Sequence, residues 1–481
     1  MTQRSSDEEQ LKPADSGNKE NQGSKESGKS LPAQNRMGTE PEGKLLFSMA
    51  LPMTISMLFQ AFYNVVDSYF VAQLNQDAMN AVSLSFPMQS LLIAFSVGTG
   101  VGMSALISRT LGERREDRAR EVAGTGMLLF ILTAALFSLF GFAFGHRFFV
   151  LQTDNEGIIR YGSDYLTVVM GICFFLYAQV CMERLLQSIG RTDKSMLIQL
   201  SGAAANIILD PLFIFGYAGF PRLEVMGAAV ATVIGQAIAT LVGFLLNLKY
   251  NPVLRPAFRM IRFRGRIIAD IYRIAYPSIL MQSVGSLTNF LMNQILLGFT
   301  EAATAVYGAY FKLQSFIFMP VFGLNNAMVP IISYNYGARQ PDRVRKTVLI
   351  AIASAVSFMT LGAVVFMAVP QVLIGIFNPT EEMLSIGVRA MRIICLHFPL
   401  AGFCIIAGSV CQAIGNPFHS LMISVCRQVL VLLPVAYFFS LTGVLDNIWL
   451  AFPVAELVSF ILSMIFFRKT IRGVKMRLGD A

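Results

Sequence analysis

Twelve apolar runs of bilayer length follow one another between Lys44 and Arg468, and they leave no soluble fold open to this chain. They cover roughly residues 45–72, 81–108, 121–145, 162–188, 195–217, 226–248, 267–298, 303–333, 345–369, 387–413, 420–442 and 446–467. About 20 helical residues at 1.5 Å each cross the hydrocarbon core, so each run can span it with some tilt. Only 14% of the residues are charged and 54% are hydrophobic, whereas soluble domains carry about a quarter charged residues. The expected fold is an all-α polytopic membrane protein of twelve transmembrane helices. The six cysteines lie inside apolar runs, without disulfide or zinc spacing, and read as small buried hydrophobes.

An internal repeat then fixes the topology. At a constant offset of 225 residues Pro52 recurs as Pro277, Asn64 as Asn289, Gln89-Ser90 as Gln314-Ser315 and Gly98 as Gly323. Ser108 recurs as Ser333, Gly112 as Gly337, Asp117-Arg118 as Asp342-Arg343, and Gln187-x-Ile189-Gly190 as Gln412-x-Ile414-Gly415. An even number of spans, six, separates the copies, so both halves face the same way. That predicts two parallel six-helix lobes related by a pseudo-two-fold axis along the membrane normal, with a cavity between them. The lobes are expected over residues 44–249 and 267–470, joined by the basic linker 250–266.

The net charge of +9 is spent on topology rather than on nucleic acid. The segments 109–120, 249–266, 339–346 and 468–477 hold five, six, four and five Lys/Arg, and the loops on the other side hold only Arg147, Arg160 and Arg222. By the positive-inside rule both termini and the linker are cytoplasmic. Residues 1–43 contain no aromatic residue and are rich in Ser, Gly, Lys and Glu, a composition that predicts a disordered cytoplasmic tail. No apolar segment precedes Lys44, so no cleavable signal peptide is expected. Residues 471–481 form a second cytoplasmic tail.

Charges inside the spans mark the candidate site. The only charge in 45–72 is Asp67, with Gln60 and Asn64 at helical spacing before it. A carboxylate near mid-membrane costs at least ~2.5–3.5 kcal/mol, so it must face protein or water and is a functional candidate. Span five carries Asn206 and Asp210 one turn apart, followed by Pro211, which bends the helix and frees the carbonyl of Ile207. Counting inward from the non-basic ends of their spans, Asp67 and Asp210 lie at matched depth. Two carboxylates there suit a cation or proton site; the plainer reading is a polar contact that fixes helix packing. Gln236 on span six is a further cavity candidate.

The second half differs. Met292 and Val435 occupy the positions equivalent to Asp67 and Asp210. Its intramembrane polar residues are Lys312, His397, Arg427 and Glu456, with Gln282, Ser286, Asn289 and Asn293 striping span seven. These read either as a second site or as an ion-paired strut, and equal depth predicts a pair between Lys312 and Glu456. Glu183-Arg184 reads as a packing pair, and Gly98-x-Gly100-x-Gly102, with no strand before it, as a close-packing helix face. Three scattered histidines and the lack of hydrolase, zinc-protease or Walker A motifs argue against an enzyme and against direct ATP drive. No cofactor or bound metal is expected.

Taken in order, the two parallel halves resemble a known family. The carrying segments are YNVVDSYF ending span one, SRTLGE and SYNYGA after spans two and eight, Gln187-x-x-Gly190-Arg191, and Asn206 with Asp210-Pro211. Together they resemble multidrug and toxic compound extrusion (MATE) transporters, in the bacterial DinF/MepA-like branch, over residues 44–470. The resemblance implies a V-shaped pair of lobes in the bacterial inner membrane, a monomer exporting amphipathic organic cations against inward proton or sodium flow. It implies a coupling site at Asp67, Asn206 and Asp210, with Asn64 nearby, and adds Tyr165 on span four and Thr232 on span six. The acidic residues that another branch carries on spans seven and ten are replaced by Asn289/Asn293 and His397. The alternative is a flippase for lipid-linked precursors, which would use Lys312 and Arg427 to hold a pyrophosphate.

Overall fold

The computed structural model describes residues 36–256 and 261–479, the last six of them as backbone only. Of the disordered tail expected over residues 1–43, residues 1–35 lie outside the described residues, and residues 36–43 are instead largely helical and tied to the second half. Helical structure begins with a turn at Arg36–Thr39, ahead of Lys44, and span one starts at Glu42.

Spans one to three are Glu42–Ala72, Gln76–Gly112 and Glu116–Val150. Span four is broken into Glu156–Gly171 and Phe174–Ser188 with a bend of 44°. Spans five and six are Thr192–Phe215 and Glu224–Tyr250. In the second half the helices are Gly265–Leu297, Glu301–Gly337, Pro341–Ala368, Glu381–Ala413 and Pro417–Ser440, and span twelve runs on to Gly479. Ten helices, and the bent pair as an eleventh, are both long and apolar enough to cross a membrane. The twelfth, Gly265–Leu297, has ample length at 33 residues, but its Gln282–Asn293 polar stripe lowers its hydropathy, which is what a helix facing a wet cavity requires. Spans two and eight, 37 residues each, measure about 55 Å. They therefore project past the hydrocarbon core into the basic loops.

The repeat is visible bond by bond. Ser108 Oγ donates to Ser188 O at 2.9 Å, and Ser333 Oγ to Ala413 O at 3.1 Å. Gln187 donates to Ser195 Oγ at 2.8 Å, and Gln412 to Ser420 Oγ at 3.0 Å. The turn after each glutamine needs positive φ, +82° at Gly190 and +93° at Gly415, which accounts for the Gln-x-Ile-Gly motif. The halves meet through close helix crossings that obey the same symmetry. A Cβ on Gly98 would sit 3.2 Å from the Ile279 amide nitrogen, and one on Gly323 2.9 Å from that of Thr54. Gly102 likewise faces span seven, so the glycine-rich face of span two is a packing face, with Gly100 against Arg184.

The first helix of each half crosses into the other. Leu45, Leu46, Met49 and Ala50 of span one pack in the core of the second half, and Ile267 and Ile271 of span seven pack in the core of the first. Among the described residues, the side-chain bonds that join the halves lie at the basic end. Examples are Arg118–Asp270 at 3.8 Å, Arg264–Glu121 at 2.7 Å and Arg343–Glu42 at 3.6 Å. The segment before span one reinforces this end. Arg343 donates to Met37 O at 3.4 Å and Glu40 O at 2.5 Å, and Asn335 to Met37 O at 3.0 Å. The Met37 side chain is fully buried, packed in the core of the second half and near Gly190 of the first.

Away from the basic end the halves part. Eleven residues, three turns along the same helix face, separate each crossing residue from one nearer the far end: Thr54 from Val65, Gly98 from Pro87, Ile279 from Phe290 and Gly323 from Lys312. All four of these farther residues are exposed, Val65 at 63% and Phe290 at 59%. Faces that touch at the basic end are therefore open to a cleft further along.

Candidate functional site

Span five supplies the centre of the first half, and its position follows from two glycines. A Cβ on Gly235 of span six would lie 2.9 Å from Gly202 O, and one on Gly202 3.2 Å from Gly235 O. Only glycine permits that approach. One turn further from the basic end, it brings Thr232 on span six against Asn206 on span five. Asn206 Nδ2 donates to Thr232 Oγ1 at 3.3 Å and to Asp210 Oδ1 at 3.2 Å. Asp210 is fully buried and Asn206 is 3% exposed.

Span one closes the site by packing along span five. Asp67 on span one is half-buried and lies within electrostatic range of Asp210. Tyr165 on span four, itself buried, interacts with Gln89 on span two and lies within range of both carboxylates, as does Tyr63 on span one. Among the described residues three buried oxygens of this cluster have no hydrogen-bond partner: Asp67 Oδ1, Asp210 Oδ2 and Asn206 Oδ1. Buried acceptors are seldom left unpaired, and every one of these can bind a proton donor or a hard cation. Among the described residues no group of three or more His, Cys, Asp or Glu could hold a metal. Any cation here would rely on carboxylate, amide and hydroxyl oxygens.

The structure thus brings together Asp67, Asn206, Asp210, Tyr165 and Thr232. Gln60 and Asn64 are exposed on span one. The main-chain carbonyl of Gln236 accepts from Thr240 Oγ1 at 2.8 Å. Sequence reasoning missed Tyr63 and Gln89. Tyr63 stands one turn before Asp67, which was its only signal. Gln89 was visible as a repeat position but shares no sequence neighbourhood with a carboxylate.

In the second half the expected pair is corrected. Glu456 Oε2 meets Arg427 Nη1 at 3.5 Å, not Lys312, which is exposed on the cleft face of span eight. Depth along a helix says nothing of azimuth, and a π-helical segment, Cys426–Leu432, carries Arg427 toward span twelve. His397 is buried beside this pair, with Nδ1 2.6 Å from Ile394 O. Asn289 accepts from Tyr307 at 2.7 Å, and Gln282 and Asn293 make no side-chain bond to that cluster. Glu183 and Arg184 interact electrostatically but, among the described residues, make no direct side-chain bond to each other. Glu183 accepts from Gln179 and Gln199 at 3.0 and 2.8 Å, while Arg184 donates to Gln187 at 3.0 Å.

Comparison with known proteins follows this geometry. The MatE family profile matches residues 52–212 and 277–438, one match in each half. The FAD transporter of Shewanella oneidensis is 30% identical over 442 residues, 92% of this chain and 97% of the relative. The multidrug export protein MepA of Staphylococcus haemolyticus is 26% identical over 426 residues, 88% of this chain and 92% of the relative. Among solved structures, a MATE protein crystallised with MaL6 superposes with a TM-score of 0.86 at 24% identity, over 92% of this chain and all of that one. A MOP superfamily transporter from Pyrococcus furiosus gives 0.86 at 23%, over 92% and 99%. Both share the two-lobe, twelve-helix fold. The chain belongs to the MatE family, in its MepA-like bacterial branch, and is a multi-pass membrane transporter.

Proposed function

We propose that this protein is a secondary antiporter that exports amphipathic, mostly cationic compounds in exchange for protons or sodium ions. The observation that carries this reading is the cluster of Asp67, Asn206 and Asp210, with three buried oxygens that have no hydrogen-bond partner among the described residues. Two carboxylates in one dry site cannot both ionise cheaply. A proton or a sodium ion therefore stabilises the chamber, and loss of that cation leaves negative charge that draws span one and span five into a different arrangement. Inward cation flow and outward substrate flow are coupled if the cleft holds substrate in only one of those arrangements.

The basic loops support a bacterial inner-membrane orientation with both termini and the 250–266 linker cytoplasmic. In that orientation the structure faces outward, closed at the cytoplasmic end. The relatives' names span drugs and FAD, and substrates built on a flat aromatic body fit a cleft lined by Val65 and Phe290.

Reconstituted vesicles loaded with ethidium test the reading. Efflux should follow an imposed pH or sodium gradient and stop when both are collapsed. Efflux that ignores both gradients contradicts it.

A further inference from the structure

Lys312 poses a problem that the coupling chamber does not solve. It stands three turns from the Gly323–Thr54 crossing on the same face of span eight, and it is exposed on the second-half wall of the cleft. The symmetry-related residue of the first half is Pro87, so the cation is one-sided. Among the described residues Lys312 has no ion pair and no side-chain hydrogen bond. Glu456, the carboxylate at matched depth, is paired with Arg427 at 3.5 Å. Lys312 is also eleven residues from the start of span eight at Glu301, about 16 Å, farther than a lysine stem can reach to the membrane surface. A charge kept at such depth without a protein partner faces the water of the cleft, where it is free to meet an anionic group of a ligand.

We propose that Lys312 is an anion-recognition residue of the cleft, so that the protein accepts amphiphiles bearing a carboxylate or phosphate as well as cations. This rests on the reading of the cleft as the substrate path. The ammonium group donates to the anion, and Val65 and Phe290 at the same height supply apolar surface for the rest of the molecule. Ser286 and Gln282, exposed on span seven one and two turns nearer the crossing than Phe290, offer neutral donors further into the cleft.

Equilibrium binding to the full-length protein in phosphatidylcholine nanodiscs tests this without any gradient, so a failure of antiport and a failure of anion recognition remain distinct. Carboxyfluorescein should bind saturably, Lys312→Met and Lys312→Gln should weaken it about tenfold, and Lys312→Arg should retain it. The ratio of carboxyfluorescein to ethidium affinity should fall with the lost charge. Adding phosphatidylglycerol separates the sources: displacement of the dye identifies a lipid phosphate as a competing occupant, and its absence identifies a free solute. The proposal is overturned by no saturable binding to the wild type, by equal affinity in wild type and Lys312→Met, or by ethidium affinity falling by the same factor.

Discussion

Asn206 donates from Nδ2 to Oδ1 of Asp210 at 3.2 Å, one helical turn further along span five. The same nitrogen reaches Thr232 on span six. One amide thus holds the carboxylate against a neighbouring helix and leaves Asp210 Oδ2 and Asn206 Oδ1 unbonded, aimed into the chamber with Asp67. Its neutral amide can donate to an ionised carboxylate without adding a charge that would compete with an incoming cation.

Asn206→Ala should therefore weaken transport rather than abolish it. Losing a buried donor costs about 1–3 kcal/mol, and the variant should need a steeper gradient for the same ethidium efflux. Thr232→Val, which removes only the second acceptor, should cost less. Flux against gradient size in vesicles at matched protein level checks both.

The Gly202–Gly235 crossing sets the width of the chamber. Gly235→Leu forces a side chain into Gly202 O and Asn206 Cβ, an overpacking that typically costs ~1–3 kcal/mol. It should spread spans five and six, lower the melting temperature and slow transport more than Asn206→Ala does. A melting temperature and flux equal to wild type would show that the crossing does not position Asn206.

Arg427 and Glu456 should behave as a unit. Arg427→Met strands a buried carboxylate and should destabilise by roughly 3 kcal/mol, the lower end for a broken buried pair, because Arg427 retains some solvent access. Combining it with Glu456→Gln should restore much of that loss. Thermal unfolding of the two single variants and the double variant in detergent reads the coupling, and additive effects would show that the 3.5 Å contact carries no energy.

The segment before span one should act as a strap across the basic end. Arg343→Gln removes the ion pair to Glu42 and two bonds to the Met37 and Glu40 carbonyls. A cysteine placed at buried Met37, in a background whose native cysteines are replaced by alanine, should react slowly with maleimide. Adding Arg343→Gln should raise that rate severalfold. Unchanged labelling would mean that packing alone, without Arg343, holds the strap.

Much of this architecture was legible in the residues because it repeats. Gly190 and Gly415 mark one turn used twice, and Asp67 and Asp210 stand out because charge is costly in a span. What stayed hidden depends on rotation about helix axes or on contacts between distant segments. Counting depth placed Lys312 level with Glu456 but could not see that Arg427 faces the glutamate through a π-helical turn. The stripe Gln60–Asn64–Asp67 read as one face, and along it Gln60 and Asn64 are exposed while Asp67 is partly buried. Nothing in local patterning showed that spans one and seven exchange their basic ends between the halves, because apolar residues there look alike whichever core receives them.

The central claim is that Asp67 carries the coupling charge, and Asp67→Asn tests it most directly. The substitution keeps shape and hydrogen bonding but cannot bind and release a proton or neutralise a sodium ion. The decisive measurement is gradient-driven ethidium efflux from vesicles at equal reconstituted protein, with ethidium binding measured alongside. The account predicts a folded variant that still binds the dye and loses efflux under both pH and sodium gradients. Wild-type efflux in Asp67→Asn would contradict it and leave span one as a structural element only.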